Sequence, residues 1–470
     1  MTSTLQALPA PMKSGRRNPA IGMWVVLVGQ LMLVLDATIV NVALPHIATD
    51  LRFGSASLSW VLNAYSLAFG GLLLLGGRLG DVLGRRRVFM TGLSLFTLAS
   101  FAGGLAHAPW ELVTSRALQG VGAALAAPSV LALITTNAPN EAARNRALAA
   151  FAVISSGGAA LGLMLGGTLT DLVSWRWTMF VNVPIGLAVL SLVPGLVNET
   201  ARRHGRFDFV GAASATAAAV SIVWTVINAP AHGWASARTI GGFALGAALL
   251  VVLAVTERRH PHPLLRPALL RSRKRIAGLV SMACIYGGML ATFFLTVQLL
   301  AHQFDYSPIR SGVAFLPVPI GVFTMSRLTP GLVARIGPAP LIAAGTASVF
   351  TAMALLIGVD STTGYVTGVL PSLMLLGLGM GASFMPITVL ALGGVEPEHT
   401  GAASGLLQTM QQLGGAVGLA VVASVFAGRS GYGLDAALRY GYGAATVLAA
   451  LAFVSAVTLL PRRTPATAAA

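Results

Sequence analysis

Fourteen apolar segments follow one another along this chain, near residues 22–44, 57–76, 88–107, 110–134, 147–170, 177–197, 209–228, 239–256, 276–300, 312–329, 339–358, 364–392, 402–427 and 440–461. No other feature narrows the fold so far. About 20 apolar residues is the length that crosses the hydrocarbon core of a bilayer as a helix. A β-barrel is disfavoured, because no segment alternates at period two over the roughly ten residues a membrane strand needs. Composition agrees: 55% of the 470 residues are hydrophobic and 9% charged, against about 25% charged in an ordinary soluble domain. Length alone would suggest about three soluble domains, but the chain has too little polar surface to cover them. An all-α membrane protein with 14 transmembrane helices is expected.

The formal net charge of +16 could by itself suggest a nucleic-acid partner. Its distribution argues for topology instead. With the N-terminus in the cytoplasm, the inside segments hold 22 of the 30 Lys and Arg residues. The outside segments hold six: Arg52, Arg176, Arg238, Arg310, Arg429 and Arg439. Arg116 and Arg327 fall within apolar segments. This bias is the positive-inside pattern, and a missed or extra helix would scramble it. Both termini are therefore expected on the cytoplasmic side, with lipid and not nucleic acid as the large partner. Lys13, Arg16 and Arg17 precede a first segment that is longer than a signal-peptide core and carries Asp36, so it reads as a spanning helix rather than a cleaved signal. Lysine occurs only at Lys13 and Lys274, and Ala and Gly abound, which suggests a GC-rich bacterial genome.

The longest polar inside loops, 198–208 and 257–275, divide the chain as six, two and six segments. The expected organisation is a tail (1–20), a six-helix bundle (21–200), two additional helices (201–257), a second six-helix bundle (258–461) and a tail (462–470). A weak internal repeat accompanies it: GRLGDVLGRRR at 77–87 aligns with PGLVARIGPAP at 330–340, Gly84 matching Gly337 and Asp81 meeting Ala334. Repeated halves of this kind are characteristic of transporter folds.

Among the fourteen acidic residues, Asp36 alone lies well inside a segment. A charge there costs about 2.5–3.5 kcal/mol on insertion scales, which makes it a functional candidate. Arg116 is the matching cation. Counting from Pro45 and Trp110, Asp36 and Arg116 sit roughly 13 Å and 9 Å below the same surface, depths compatible with pairing. Asn41, about 140° further round the first helix, does not share one narrow stripe with Asp36. In the 77–87 turn, Gly77 and Gly84 permit a tight reversal, and Asp81 to Arg85 is an i,i+4 spacing suited to an ion pair. Gly158, Gly162 and Gly166, with Gly167 beside them, make one face of the fifth segment smooth enough for close helix approach. Gly401, Gly405, Gly414 and Gly418 repeat the device in the thirteenth. The remaining polar candidates for a cavity are Asn63, Tyr65, Gln119, Gln298, Gln408 and Gln411, with Gln412, Met325 and Met410 near them; such side chains suit adaptable apolar contacts with a few hydrogen bonds.

No cofactor is expected. Cys284 is the only cysteine, which leaves no internal disulfide or cysteine metal cluster, and His260 and His262 belong to a proline-stiffened loop. Walker A, HExxH and GxSxG sequences are missing, so ATP hydrolysis and covalent catalysis lack their residues.

LDATIVNVALP (35–45), WVLNAYSLAFG (60–70), GRLGDVLGRRR (77–87) and RALQGVGAAL (116–125) together resemble the major facilitator superfamily. WRWTMFVNVPIG (175–186), PLLRPALLRSR (263–273) and GAASGLLQTMQQLGGAVG (401–418) resemble its fourteen-helix drug:proton antiporter branch. The resemblance implies a major facilitator fold, with two six-helix bundles around a central cavity, two linker helices and alternating access. It implies proton coupling at Asp36 and Arg116, and a conformational latch at Gly77, Asp81, Gly84 and Arg85. Gly158 to Gly167 matches the helix-packing motif associated with antiporters, except that Leu163 stands where proline is usual. The function implied is efflux of small lipophilic drugs, antibiotics or specialised metabolites in exchange for protons across a bacterial inner membrane. An uptake symporter of the same fold is the alternative.

Overall fold

The computed structural model describes residues 19–54, 57–138, 140–200, 209–259, 272–360, 362–392 and 400–459. Residues 1–18 of the expected first tail, the whole of the last and much of the two long basic loops, with His260 and His262, lie outside the described residues; the helix α1 already begins at Pro19. The described chain is helical. Its first part comprises α1 (Pro19–Asp50), α2 (Trp60–Leu83), α3 (Arg85–Gly104), α4 (Pro109–Asn137), α5 (Glu141–Leu172), a single turn α6 (Trp177–Phe180) and α7 (Asn182–Leu196). Then come α8 (Phe209–His232) and α9 (Ala237–Arg259). The last part comprises α10 (Arg273–His302), short α11 (Pro308–Ala314), α12 (Pro317–Ile336), α13 (Pro338–Leu356), α14 (Leu370–Leu392), α15 (Thr400–Arg429) and α16 (Leu434–Leu459). A π-helical turn, Tyr365–Val369, leads into α14.

Each of the fourteen apolar segments overlaps a helix, and twelve helical spans among the described residues are long and apolar enough to cross a membrane. The segments at 88–107 and 147–170 fall on α3 and α5, which are not among the twelve. α3 opens on Arg85, Arg86 and Arg87, which lowers its hydropathy; in α5 the apolar stretch among the described residues, Leu161–Leu172, is short. The first segment also differs from its expected length. Proline removes one helical hydrogen bond, yet α1 continues through Pro45 to Asp50. Asp36 consequently lies about 21 Å along the helix from that end, not 13 Å.

One packing scheme occurs twice. α1 lies on α5 and α7, while α2 and α3 both lie on α4; in the same order α10 lies on α15 and α16, while α12 and α13 both lie on α14. Between helices in lipid there is no hydrophobic drive to associate, so close van der Waals contact has to hold them. Glycine supplies it at matching places. A methyl at Gly162 would meet the Leu35 carbonyl at 2.8 Å, and one at Gly414 would meet the Ala283 carbonyl at 2.6 Å. Gly92 and Gly122 face each other between α3 and α4 as Gly345 and Gly379 do between α13 and α14. Gly84 and Gly337 both join consecutive helices with positive φ, +105° and +83°, a conformation that glycine adopts at little cost. These contacts fix the register of the repeat helix by helix; from the turn into α3 and α13 it is the register in which Gly84 aligns with Gly337, and in the other helices the alignment slips by a few residues.

The two parts meet along two seams. At one, α5 approaches α11 so closely that a methyl at Gly312 would lie 2.6 Å from the Leu163 carbonyl, while Gly167 abuts the Pro308 carbonyl. At the other, α2 lies on α15. There α8 covers both helices: Leu67 of α2, Ala416 and Ala420 of α15, and Ala219, Val223 and Ile227 of α8 share one buried apolar cluster. α9 packs on α8 and is otherwise almost wholly exposed, with 11% of its apolar window buried.

Candidate functional site

Asp36 and Arg116 meet. Arg116 Nη1 donates to Asp36 Oδ2 at 2.6 Å, with the side chains 1% and 0% exposed. A charge so completely removed from water is stable only if it is paired and its hydrogen-bonding capacity is met, and here both conditions hold. Asp36 Oδ1 accepts from Gln119 Nε2 and from Asn182 Nδ2, each at 2.9 Å. Arg116 donates Nε to the Val61 carbonyl at 3.0 Å and Nη1 to Gln119 Oε1 at 2.8 Å. Its guanidinium lies 4.6 Å from the centre of the Tyr65 ring, within reach of a cation–π attraction. Gln119 Nε2 also donates to Ser100 Oγ at 2.7 Å. One network thus ties together α1, α2, α3, α4 and α7.

Beside it lies a cavity of about 20 Å³, lined by Ala37, Leu62, Tyr65, Ser66 and Arg116 from the first part and by Tyr286, Leu290 and Gln412 from the last. That is room for roughly one water molecule. A space of this size can admit water but no drug-sized molecule.

The sequence-derived cavity residues divide around this centre. Tyr65 lines the cavity. Gln119 belongs to the ion network instead. Asn41 is buried and turns its amide back onto the Ala37 and Thr38 carbonyls at 3.3 and 3.2 Å. Asn63 is fully buried, and neither its Nδ2 nor its Oδ1 has a hydrogen-bond partner. Gln298 is buried on α10. Gln408 is exposed and Gln411 half-buried, whereas their neighbour Gln412 reaches the cavity wall.

At the α2–α3 turn, Arg85 Nη2 donates to Asp81 Oδ1 at 2.6 Å and Nη1 to the Pro128 carbonyl of α4 at 3.1 Å. Gly77 also faces Pro128. The Glu199 carboxylate, just beyond α7, accepts from the backbone N–H of Arg86 at 2.8 Å and of Arg87 at 3.2 Å. A carboxylate there satisfies free helix N–H groups and sits favourably against the helix dipole. A methyl at Gly84 would lie 2.6 Å from that carboxylate. The turn is therefore fastened to α4 and to the end of α7, all within the first part of the chain.

The glycine stripe of α5 is an internal seam: Gly158, Gly162 and Gly166 lie on α1, and Gly167 alone turns to α11. With leucine at 163, where proline would break the ladder, α5 runs unbroken from Glu141 to Leu172. In α15, Gly414 and Gly418 lie on α10, while Gly405 meets Leu74 of α2 across the second seam; the side-chain surroundings of position 401 lie outside the description.

Sequence reasoning missed Asn182, Ser100 and Glu199. Asn182 stood within a quoted motif, WRWTMFVNVPIG, but only the packing of α7 on α1 brings it to Asp36.

The sequence profile of the Major Facilitator Superfamily matches residues 26–419. The chain belongs to the major facilitator superfamily. It is a multi-pass membrane transporter and not an enzyme. It is 40% identical over 413 residues to the puromycin resistance protein pur8 of Streptomyces alboniger, covering 87% of this chain and 82% of that one. To the cephamycin export protein CmcT of Amycolatopsis lactamdurans it is 36% identical over 444 residues, covering 92% and 91%. To the tetracenomycin C resistance and export protein of Streptomyces glaucescens it is 34% identical over 431 residues, covering 90% and 78%. Among solved structures, a peptide transporter of the POT family in complex with sulfate superposes with a TM-score of 0.69 over 96% of this chain and 97% of that one. At 16% identity, that likeness concerns the fold.

Proposed function

We propose that this transporter exports small lipophilic antibiotics, drugs or specialised metabolites from a bacterial cell across its inner membrane, in exchange for protons. The observation that carries the reading is the buried Asp36–Arg116 pair beside a small cavity between the two parts of the chain, in a superfamily member whose relatives bear the names of antibiotic resistance and export proteins. Asp36 is the proton site. Neutralising it removes the charge that holds Arg116, Gln119 and Asn182 in place, and so loosens five helices at once. Substrate arriving from the cytoplasm competes for the same state.

In this reading fourteen helices cross the membrane, α6 with α7 and α11 with α12 each counting as one. Both termini are cytoplasmic, residues 21–200 and 258–461 form the two bundles, and 201–257 supply the linker helices. The α5–α11 contact then closes the periplasmic side, and the Asp81–Arg85 turn controls rocking from the cytoplasmic side. When the helices part to admit substrate, the space beside Asp36 favours neutral or singly charged lipophiles over dications, since a desolvated dication needs nearby carboxylates and Asp36 is already paired.

The deciding experiment loads proteoliposomes with lipophilic monocations, neutral antibiotics or bis-quaternary dications and imposes a proton gradient, with an ionophore control. Gradient-driven, outwardly directed transport of the first two classes is expected, falling to background in Asp36→Asn. Undiminished active transport by Asp36→Asn refutes the assignment of the proton site, and net accumulation in the reverse sense refutes export.

A further inference from the structure

Every hydrogen bond to Asp36 comes from a donor: Arg116 Nη1 on Oδ2, Gln119 Nε2 and Asn182 Nδ2 on Oδ1. That suits a carboxylate, which only accepts. A protonated carboxyl carries one O–H and needs an acceptor for it, and at 0% exposure Asp36 cannot turn to bulk water. Of its amide neighbours, Gln119 is held on both sides, its oxygen by Arg116 and its nitrogen by Ser100. Asn182 is not. Among the described residues its side chain has one hydrogen bond, the one to Asp36. It also opens α7 directly after Val181, the junction with the single turn α6.

From this geometry we infer that Asn182 is the positioning residue that reads the protonation state of Asp36. With the carboxylate it presents Nδ2; when a proton from the cavity binds to Asp36, the amide turns and Oδ1 accepts the new O–H. No covalent bond of Asn182 changes, and the proton stays on Asp36. The amide is thus a two-position element linking the proton site to the α6–α7 junction. The inference rests on the proton-coupling reading above.

The other groups around Asp36 do not fill this role. Arg116 from α4 is a permanent donor. Tyr65 of α2 lies under the Arg116 guanidinium, and Tyr286 of α10 lies across the cavity. α5 faces α1 with Gly158, Gly162 and Gly166, and α6 has no titratable side chain. On α11 the one candidate, Arg310, is exposed and stacked on Tyr306 at 3.9 Å.

The test is infrared difference spectroscopy of the reconstituted full-length protein over a pH series, following the carbonyl stretch of protonated carboxyl groups. The Asp36→Asn variant assigns the Asp36 band. Asn182→Leu removes the donor to the charged form and the acceptor for the protonated one, so the midpoint of the band should differ from that of the wild type. The band should also move in frequency, because its O–H loses an acceptor. Asn182→Ser keeps a group that can both donate and accept, and should restore part of both shifts in a fold close to the original. If wild type shows no band that Asp36→Asn removes, the proton-coupling reading fails. A wild-type band whose midpoint and frequency are the same in both Asn182 variants overturns the role of Asn182 alone.

Discussion

The two repeated parts of this transporter share a packing scheme and differ in their chemistry. In the register fixed by the glycine contacts, Asp36 of α1 corresponds to Cys284 of α10, and Arg116 and Gln119 of α4 correspond to Leu373 and Leu376 of α14. Both leucines are fully buried. The same helical positions thus hold an ion network in one part and plain apolar packing in the other. Backbone geometry is satisfied either way. What the first part gains is a buried ion network that fastens five helices to one another. The turns differ in the same sense: Asp81 and Arg85 make an ion pair at the first, while the second has Ala334 and Pro338 at the matching places.

The largest effect should come from breaking the pair on one side. Arg116→Met leaves Asp36 buried without its cation, a loss of about 3–5 kcal/mol, whereas Leu373→Met at the corresponding site should cost under about 1.5 kcal/mol. Thermal unfolding of the purified proteins in one detergent measures both. Equal losses would mean that the two sites are energetically alike and the contrast is only one of sequence.

A smaller and symmetrical effect is expected at the glycine seams. Gly162→Val and Gly414→Val each force a side chain against a facing backbone, and each should cost about 1–3 kcal/mol. Here the two parts should agree. If one substitution is tolerated and the other unfolds the protein, the packing scheme is not repeated as closely as the contacts indicate.

The turn should show the smallest change in stability, under about 1 kcal/mol for a half-exposed pair. Asp81→Asn should slow turnover by a similar factor for every substrate, leaving the order of preference intact. A loss confined to one substrate would place Asp81 in contact with ligand.

What the sequence disclosed follows from how loudly each residue conflicts with its surroundings. Asp36 and Arg116 are charges within apolar runs, and such a conflict is visible without coordinates. Asn182 is a neutral amide at the start of a segment, beside Pro184 and Gly186, where asparagine ordinarily caps a helix; only the fold shows it turned inward. Glu199 reads as a loop acid because its partners, the N–H groups of Arg86 and Arg87, lie more than a hundred residues earlier. The spans themselves were legible because lipid imposes one length on all of them. Their interruptions at Val181 and between Ala314 and Pro317 were not, since a short break leaves hydropathy unchanged. Pro45 misled in the opposite way, as α1 absorbs it.

The contrast between α8 and α9 has a consequence for how the sequence is free to drift. α8 is wedged against α2 and α15, so its small Ala219 answers to two neighbours at once. α9 answers mainly to the acyl chains. Ile240, Leu245, Val251 and Val255 face outward, and any apolar side chain of similar bulk meets the same surroundings there. Selection on that helix should act on its hydropathy and hardly on its identity, so related chains should diverge fastest there. The same freedom makes α9 the natural place to attach a spectroscopic label or an engineered tether without touching the helices around Asp36.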